Sequence, residues 1–438
     1  MFTYMRPSRL PVKFLKSSIL FTLAALPSQT FGDTWIIRAD GSGDAPTIQA
    51  GIDSSAVGDT VLVMPGRYLE NIDFKGKAIV VSGSNAEATI IDGSGQPEAC
   101  VLFINGEDRS SVLTRFTITG GVGHRFGIGN SRFGGGIYVS NSAPTIKDNI
   151  IEDNSANTSV DGTRTGFGGG IYCGSSSFTS PLLEGNTIER NIAGINGGGV
   201  AVSGNVAPTI IGCTIKANET VTGDGGGIWV FVTVNGSMVK DNRIEGNTAN
   251  DHGGGVLVAS PTTTPIQVEI SGNLIFGNVA IGGQVTSSGG GIWLQDCSAL
   301  VSNNTIVLNE GRGPDPSWGG GIALSRCEQS TVTRNIIALS VDGGGIRCDG
   351  SSAPEIVDNL SWQNTGGEGT GICGEWWKTN GNLVVNPYFC GQEFGDFSLA
   401  ENSPALLHPA GPLGALSVSG CGPVDVRPIT WGQIKEKY

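Results

Sequence analysis

Eight glycine triplets set the first constraint on this chain. They begin at Gly134, Gly168, Gly197, Gly225, Gly253, Gly289, Gly319 and Gly343, at separations of 34, 29, 28, 28, 36, 30 and 24 residues. Self-similarity at this spacing means a repeat architecture. Behind each triplet comes a short alternating segment: IYV at 137, IYC at 171, VAV at 200, IWV at 228, VLV at 256, IWL at 292, IAL at 322 and IRC at 346. In an extended strand the first and third residues of such a segment face one way and the middle one the other. The triplets belong to an excess of 70 glycines in 438 residues, about 16% where roughly 7% is usual. They lack the G-X-Y period of collagen and the nine-residue Asp period of calcium-binding rolls. No apolar run reaches the roughly 18 to 20 residues that cross a bilayer.

A second signature follows each strand, in forms such as DNIIEDN, GNTIERN and GNLIFGN. One polar column is Asn149, Asn186, Cys213, Asn242, Asn273, Asn304, Asn335 and Asn359; a second is Asn154, Asn191, Asn218, Asn247, Asn278, Asn309, Ser340 and Asn364. Ile151, Ile188, Ile215, Ile244, Ile275, Ile306 and Ile337 lie between them. Repeats of variable length, too short for a helix in every turn, predict an all-β solenoid: a parallel β-helix whose coils stack about 4.8 Å apart. Asn amides then form ladders, isoleucines an inner stack, and glycines occupy tight corners.

Residues 1–32 read as a secretory signal peptide, with Arg6, Arg9, Lys13 and Lys16 before the apolar run Ser18 to Leu26. Its removal leaves 22 Lys and Arg against 39 Asp and Glu, a net charge near −17, a surface that excludes nucleic acid as a partner. Nine cysteines in an exported chain leave at least one thiol unpaired in a monomer. With only His124, His252 and His408, an imidazole-rich metal site has little to draw on, no cofactor is evident, and a carboxylate calcium site stays open.

Residues 33–95 form the expected N-terminal cap and first coils, with one short helix from Thr47 to Ser55. Residues 96–385 hold the coils, and 386–438 a C-terminal capping segment and tail, ending in a short amphipathic helix at 430–438. The stretch from Asp40 to Gly95, RFTITGG at 115–121, the GGGIY and NxI coils and NPYFCGQEFGDFSLAENSPAL at 386–406 together resemble the secreted bacterial right-handed parallel β-helix repeat proteins of the pectate-lyase-like superfamily. The resemblance covers most of residues 34–416 and implies the fold; members of that superfamily include polysaccharide lyases, epimerases, esterases and proteins without known activity. DGSGDAPTIQAGID also resembles the start of pectin methylesterases, but their downstream Gln, Asp-Phe and Arg-Trp signatures are missing. No Asp-Pro-His motif of alginate epimerases is present, Asp315, Pro316 and Ser317 being the nearest approach.

Candidate sites lie on the strands after the glycines. Their outward column is Tyr138, Tyr172, Ala201, Trp229, Leu257, Trp293, Ala323 and Arg347, and the rings of Tyr138, Tyr172, Trp229 and Trp293 suit either stacking on sugar rings or ordinary stacking between rungs. The column just before the triplets is Phe133, Phe167, Asn196, Asp224, His252, Ser288, Trp318 and Asp342. There Asp224 and His252 occupy equivalent places in successive coils, so a carboxylate can hold an imidazole for proton transfer, with Asp251 as a third ionisable group. Asp296 and Arg326 match in register one coil apart, followed by Arg347 and Asp349. In an enzyme of the lyase type, carboxylates bind calcium and an Arg or Lys takes the proton; no lyase motif matches at these residues, so Arg326 stands as a catalytic candidate beside the alternative of a partly exposed ion pair with Asp296. Cys297 and Cys327 are the first choice for a disulfide, Cys390 with Cys421 the next, Cys348 with Cys373 a looser pair, and Cys173 points inward. The expected function is binding of a polysaccharide or cell-surface glycan along the sheet face in an adhesive role. The alternative is a polysaccharide lyase or related enzyme acting on an acidic glycan.

Overall fold

The computed structural model describes residues 32–126, 131–160, 163–262, 265–282, 289–312, 319–349, 353–376 and 378–424. Residues 1–31 of the signal peptide expected at 1–32, Ser288, Asp315 to Trp318 and the tail helix expected at 430–438 lie outside the described residues.

One coil can be followed from its glycines. Gly134 to Gly136 lead into Ile137–Ser140; the chain then runs through Thr145–Lys147, Ile150–Glu152 and Ser155–Ala156 before the next triplet. Repetition stacks these segments into parallel sheets. Among the described residues, sheet 1 has 11 strands and contains Ile137–Ser140; sheet 2 has 12 and contains Thr145–Lys147; sheet 3 has 12 and contains Ile150–Glu152; sheet 4, short and six-stranded, contains Ser155–Ala156. Like residues meet in register. Ile137 pairs with Ile171 and Tyr138 with Tyr172, and the isoleucine column runs Ile151, Ile188, Ile215, Ile244, Ile275, Ile306, Ile337 without a slip. All seven are fully buried in one continuous core that begins at Ile37 and ends at Cys373.

The corners explain the asparagines. Sheets 2, 3 and 4 are joined by single residues in the left-handed region, such as Asp148 (φ 54°) and Asp153 (φ 55°), each followed by a buried Asn. Non-glycine residues adopt that conformation only against a local penalty. The amide behind each corner offsets it by satisfying backbone groups that the turn would leave bare. Asn247 is typical: its Nδ2 donates to the Ile215 carbonyl and to Asn278 Oδ1, both at 2.9 Å, and its Oδ1 accepts from the Asn218 backbone at 3.0 Å. The ladder weakens at Cys213, where Asn186 Nδ2 meets a sulfur at 4.0 Å in place of an amide oxygen.

Two glycine positions show why the triplets recur. Gly225 has φ +64°, and a Cβ on Gly226 would lie 2.5 Å from the Thr248 carbonyl carbon, because sheet 4 closes directly against it.

At the N-terminal end the helix runs Ile48–Ser54, with Thr47 Oγ1 accepting from the Ala50 backbone and the Glu70 carboxylate accepting from Ile48 and Gln49. Ile48 and Ile52 enter the common core. The described C-terminal residues cover a flank, which differs from the end cap expected of them. Phe389, Phe397, Leu399 and Leu413 pack on Leu274, Val307, Ile336 and Leu360, the outer side chains of sheet 3, because those strands present an apolar outer face. Cys390–Cys421 and Cys348–Cys373 are disulfides. The first-choice pair is corrected: Cys297 and Cys327 are thiols whose sulfurs stand 3.7 Å apart, beyond the roughly 2.05 Å of a bond, with Cys327 Sγ turned to the Ser325 carbonyl. The hydrogen bond shared with Cys327, then burial, holds the Cys297 thiol well above the usual range. Cys173 is buried in the core. No described helix is long and apolar enough to cross a membrane.

Candidate functional site

The outward column of sheet 1 is continuous: Tyr138, Tyr172, Ala201, Trp229, Leu257, Trp293, Ala323 and Arg347 pair one to the next. It is not the open aromatic strip expected. Tyr138, Trp229 and Trp293 retain 3%, 8% and 9% of their accessible surface, and Tyr172 is half-buried. The cause is the left-handed glycine, which folds the residue before it back over the strand. Phe133 stacks on Phe167 at 5.4 Å and meets Tyr172 edge-on at 4.9 Å; Tyr138 stacks on Tyr172 at 5.7 Å; Phe167 reaches Trp229 at 5.8 Å. Rings spaced by one rung satisfy each other before they can offer a face to a ligand. Trp229 and Trp293 form a satellite core outside the sheet with Ala201, Leu257, Ala259 and Ala323, and Phe167, Tyr172 and Phe231 pack against it.

Two openings interrupt this cover. The first, a cleft of about 310 Å3, is walled by Phe126, Phe133 and Tyr172 and rimmed by Asn141, Ser175, Ser176 and Ser203. Phe126 is 65% exposed there, a large apolar side chain held in solvent. Tyr172 shares a 2.6 Å hydrogen bond with Ser203, and Asn141 Oδ1 accepts from Ser176 N at 3.0 Å, so the polar rim is preset. The second cleft, about 260 Å3, is lined by His252, Trp293, Gln295, Ser325, Arg347 and Asp349, with Ser325 Oγ bonded to Asp349. Tyr172 and Trp293 are four rungs apart, roughly 19 Å at about 4.8 Å per rung.

Asp224 and His252 do meet. Gly197 and Gly225 donate to the carbonyls of Asp224 and His252, which sets the two residues in register. His252 Nδ1 stands 2.9 Å from Asp224 Oδ1, the His252 backbone donates to the same oxygen at 3.0 Å, and Asp251 Oδ1 lies 3.5 Å from Nδ1. Burial pushes the Asp251 carboxyl above its usual range, opposed by His252 and reinforced by Asp224. The imidazole packs on Trp293 at 4.8 Å. Among the described residues, Asp224, Asp251 and His252 are the group whose side chains could together hold a metal ion.

Arg326 is not part of this cluster. Its guanidinium binds Asp296 through Nε at 2.5 Å and Nη2 at 2.7 Å, half-exposed, outside the lining of the second cleft. Both residues are left-handed corners (φ 53° and 54°), so the chain has already left the strand and turned them outward. The arginine of the cleft is Arg347. Phe126 and Asn141 were missed because they lie in connections that carry no periodic signal, and Ser175, Ser176 and Ser203 because they fall beyond the three-residue alternating segment, on the strands Ile171–Thr179 and Val200–Val206; Tyr138, Tyr172 and Phe133 were the visible pointers. A larger hollow of about 500 Å3 lies on the outer face of sheet 2, beside Met238, Gln267, Glu269 and Leu300, with no aromatic wall.

A family model described as a right handed beta helix region matches residues 168–313 and 263–398, together more than half of the chain. Among curated proteins none matches. Solved structures with a similar course include a pectin methylesterase from carrot (15% identity, 84% of this chain and 94% of that one, TM-score 0.34). A mutant of the PL6 family alginate lyase AlyGC (12%, 87% and 57%, 0.36) and AlyGC itself (13%, 81% and 54%, 0.32) are also similar. The chain spans little more than half the length of the lyase.

Proposed function

The chain belongs to the right-handed β-helix family, and we propose that it binds carbohydrate along the outer face of sheet 1. One observation carries the reading: the first cleft sets an exposed ring, Phe126, and the half-buried Tyr172 against preset amide and hydroxyl groups. Sugar rings have an apolar face and a polar rim, and such a cleft matches both. The second cleft, with His252, Gln295, Ser325 and Arg347, offers a more polar contact farther along the same face. An adhesive, surface-exposed role, with export directed by residues 1–32, is part of this proposal; fractionation of cells expressing the full chain tests it.

The second reading is a polysaccharide lyase or related carbohydrate-active enzyme, favoured by the His252–Asp224 pair beside the second cleft. An imidazole held by a carboxylate can move a proton. Both readings meet one experiment. Acidic and neutral oligosaccharides are incubated with the protein, with and without calcium, following binding heat, unsaturated-product absorbance and new reducing ends. Binding without turnover supports the module, turnover abolished in His252→Ala supports the enzyme, and neither binding nor turnover removes both.

A further inference from the structure

We infer that Asp224, Asp251 and His252 form a binding site for one divalent d-block cation of the zinc type. The inference rests on neither reading of the clefts, although His252 also lines the second cleft. The three side chains come from two successive coils that hydrogen bonds from Gly225 to His252 O (2.8 Å) and from Gly226 to Gly253 O (3.1 Å) hold in register. Their spacing is that of ligands around a small ion. Atoms about 2.1 Å from a cation stand about 3.0 Å apart at a right angle and about 3.4 Å apart at the tetrahedral angle. His252 Nδ1 lies 2.9 Å from Asp224 Oδ1 and 3.5 Å from Asp251 Oδ1.

A second observation concerns Asp251 alone. Its Oδ1 is buried, in a side chain that is 26% exposed, and no hydrogen bond reaches it; His252 Nδ1 faces it at 3.5 Å. A buried carboxylate oxygen without a donor is costly, and a cation facing it removes that cost. The residue is also aimed: the Asp251 backbone donates to Gly223 O at 3.0 Å, the His252 backbone fixes Asp224 Oδ1, and Trp293 packs on the imidazole. Such supporting contacts orient ligands before the metal arrives.

The donor set decides the kind of ion. Calcium takes six to eight oxygens, whereas one imidazole nitrogen with two carboxylates suits zinc, cobalt or manganese, with zinc preferred over manganese. Three protein ligands also leave a position open to solvent.

The test uses the full chain, stripped with a chelator and dialysed, then titrated calorimetrically with zinc, manganese and calcium chlorides. Metal content after dialysis is counted by mass spectrometry. We expect one zinc per chain, loss of that zinc in His252→Ala, and affinity weaker by about tenfold or more in the isosteric Asp251→Asn. Asp296→Asn, at an acidic residue outside the cluster, should bind zinc as the parent does. Melting curves report folding; if His252→Ala does not fold, Asp251→Asn carries the same readout. Cobalt in place of zinc should give a visible d–d band that Asp251→Asn alters. No stoichiometric zinc, zinc retained unchanged in both variants, or calcium bound more tightly than zinc would each overturn the assignment.

Discussion

The asparagine corners and the outer face of sheet 1 are built from the same coils and behave in opposite ways. At the corners the rungs repeat one chemistry, with Cys213 and Ser340 as the exceptions in the two columns: a left-handed residue, a buried Asn, an amide passed to the next coil. On the outer face the column reads Tyr, Tyr, Ala, Trp, Leu, Trp, Ala, Arg, and the residues that fold over it vary as much. Stacking demands the first kind of order, because an amide without its neighbour leaves buried backbone groups unpaired. Nothing in the stacking demands any one residue on the second face. Departure from the repeat there is what opens two clefts, and it is where binding chemistry can sit without unravelling the coil.

Three substitutions measure that contrast. The largest effect belongs to the ladder. Asn247→Ala removes the acceptor of the Asn218 backbone and the donor to Ile215 O, and should lower unfolding stability by about 3 kcal/mol or more, read from denaturant midpoints. A loss below about 1 kcal/mol would mean that the corners tolerate variation as the outer face does. Next, Cys213→Asn restores an amide oxygen to Asn186 at the weakened rung and should raise stability by about 1 kcal/mol; no gain would show that the sulfur already serves as well. Smallest is Tyr172→Phe, which deletes one half-exposed hydrogen bond to Ser203 and should cost about 0.5 to 1 kcal/mol or less while weakening oligosaccharide binding.

Legibility followed the same division. The columns of Asn149 to Asn359 and Ile151 to Ile337 could be read directly, because each residue's environment is the same residue one repeat away. The Asp224–His252 contact was readable for that reason, since both immediately precede a triplet. Arg326 misled because counting from the glycine passes a corner at which the side chain no longer follows strand alternation. The burial of Tyr138, Trp229 and Trp293 was illegible: alternation says which way a ring points, not that His124, Phe167 and His252 fold over it. Phe126 lies in a connection of irregular length, and the C-terminal residues that cover sheet 3 repeat nothing.

The most direct test pairs two readouts on one variant. The parent and Phe126→Ala are titrated with the same acidic and neutral oligosaccharides by calorimetry, and both are melted. We expect the parent to bind, Phe126→Ala to bind about tenfold more weakly, a change of about 1.4 kcal/mol, and the melting temperatures to agree. Equal affinity in the two proteins, or a parent that binds no oligosaccharide, would contradict the proposed carbohydrate binding.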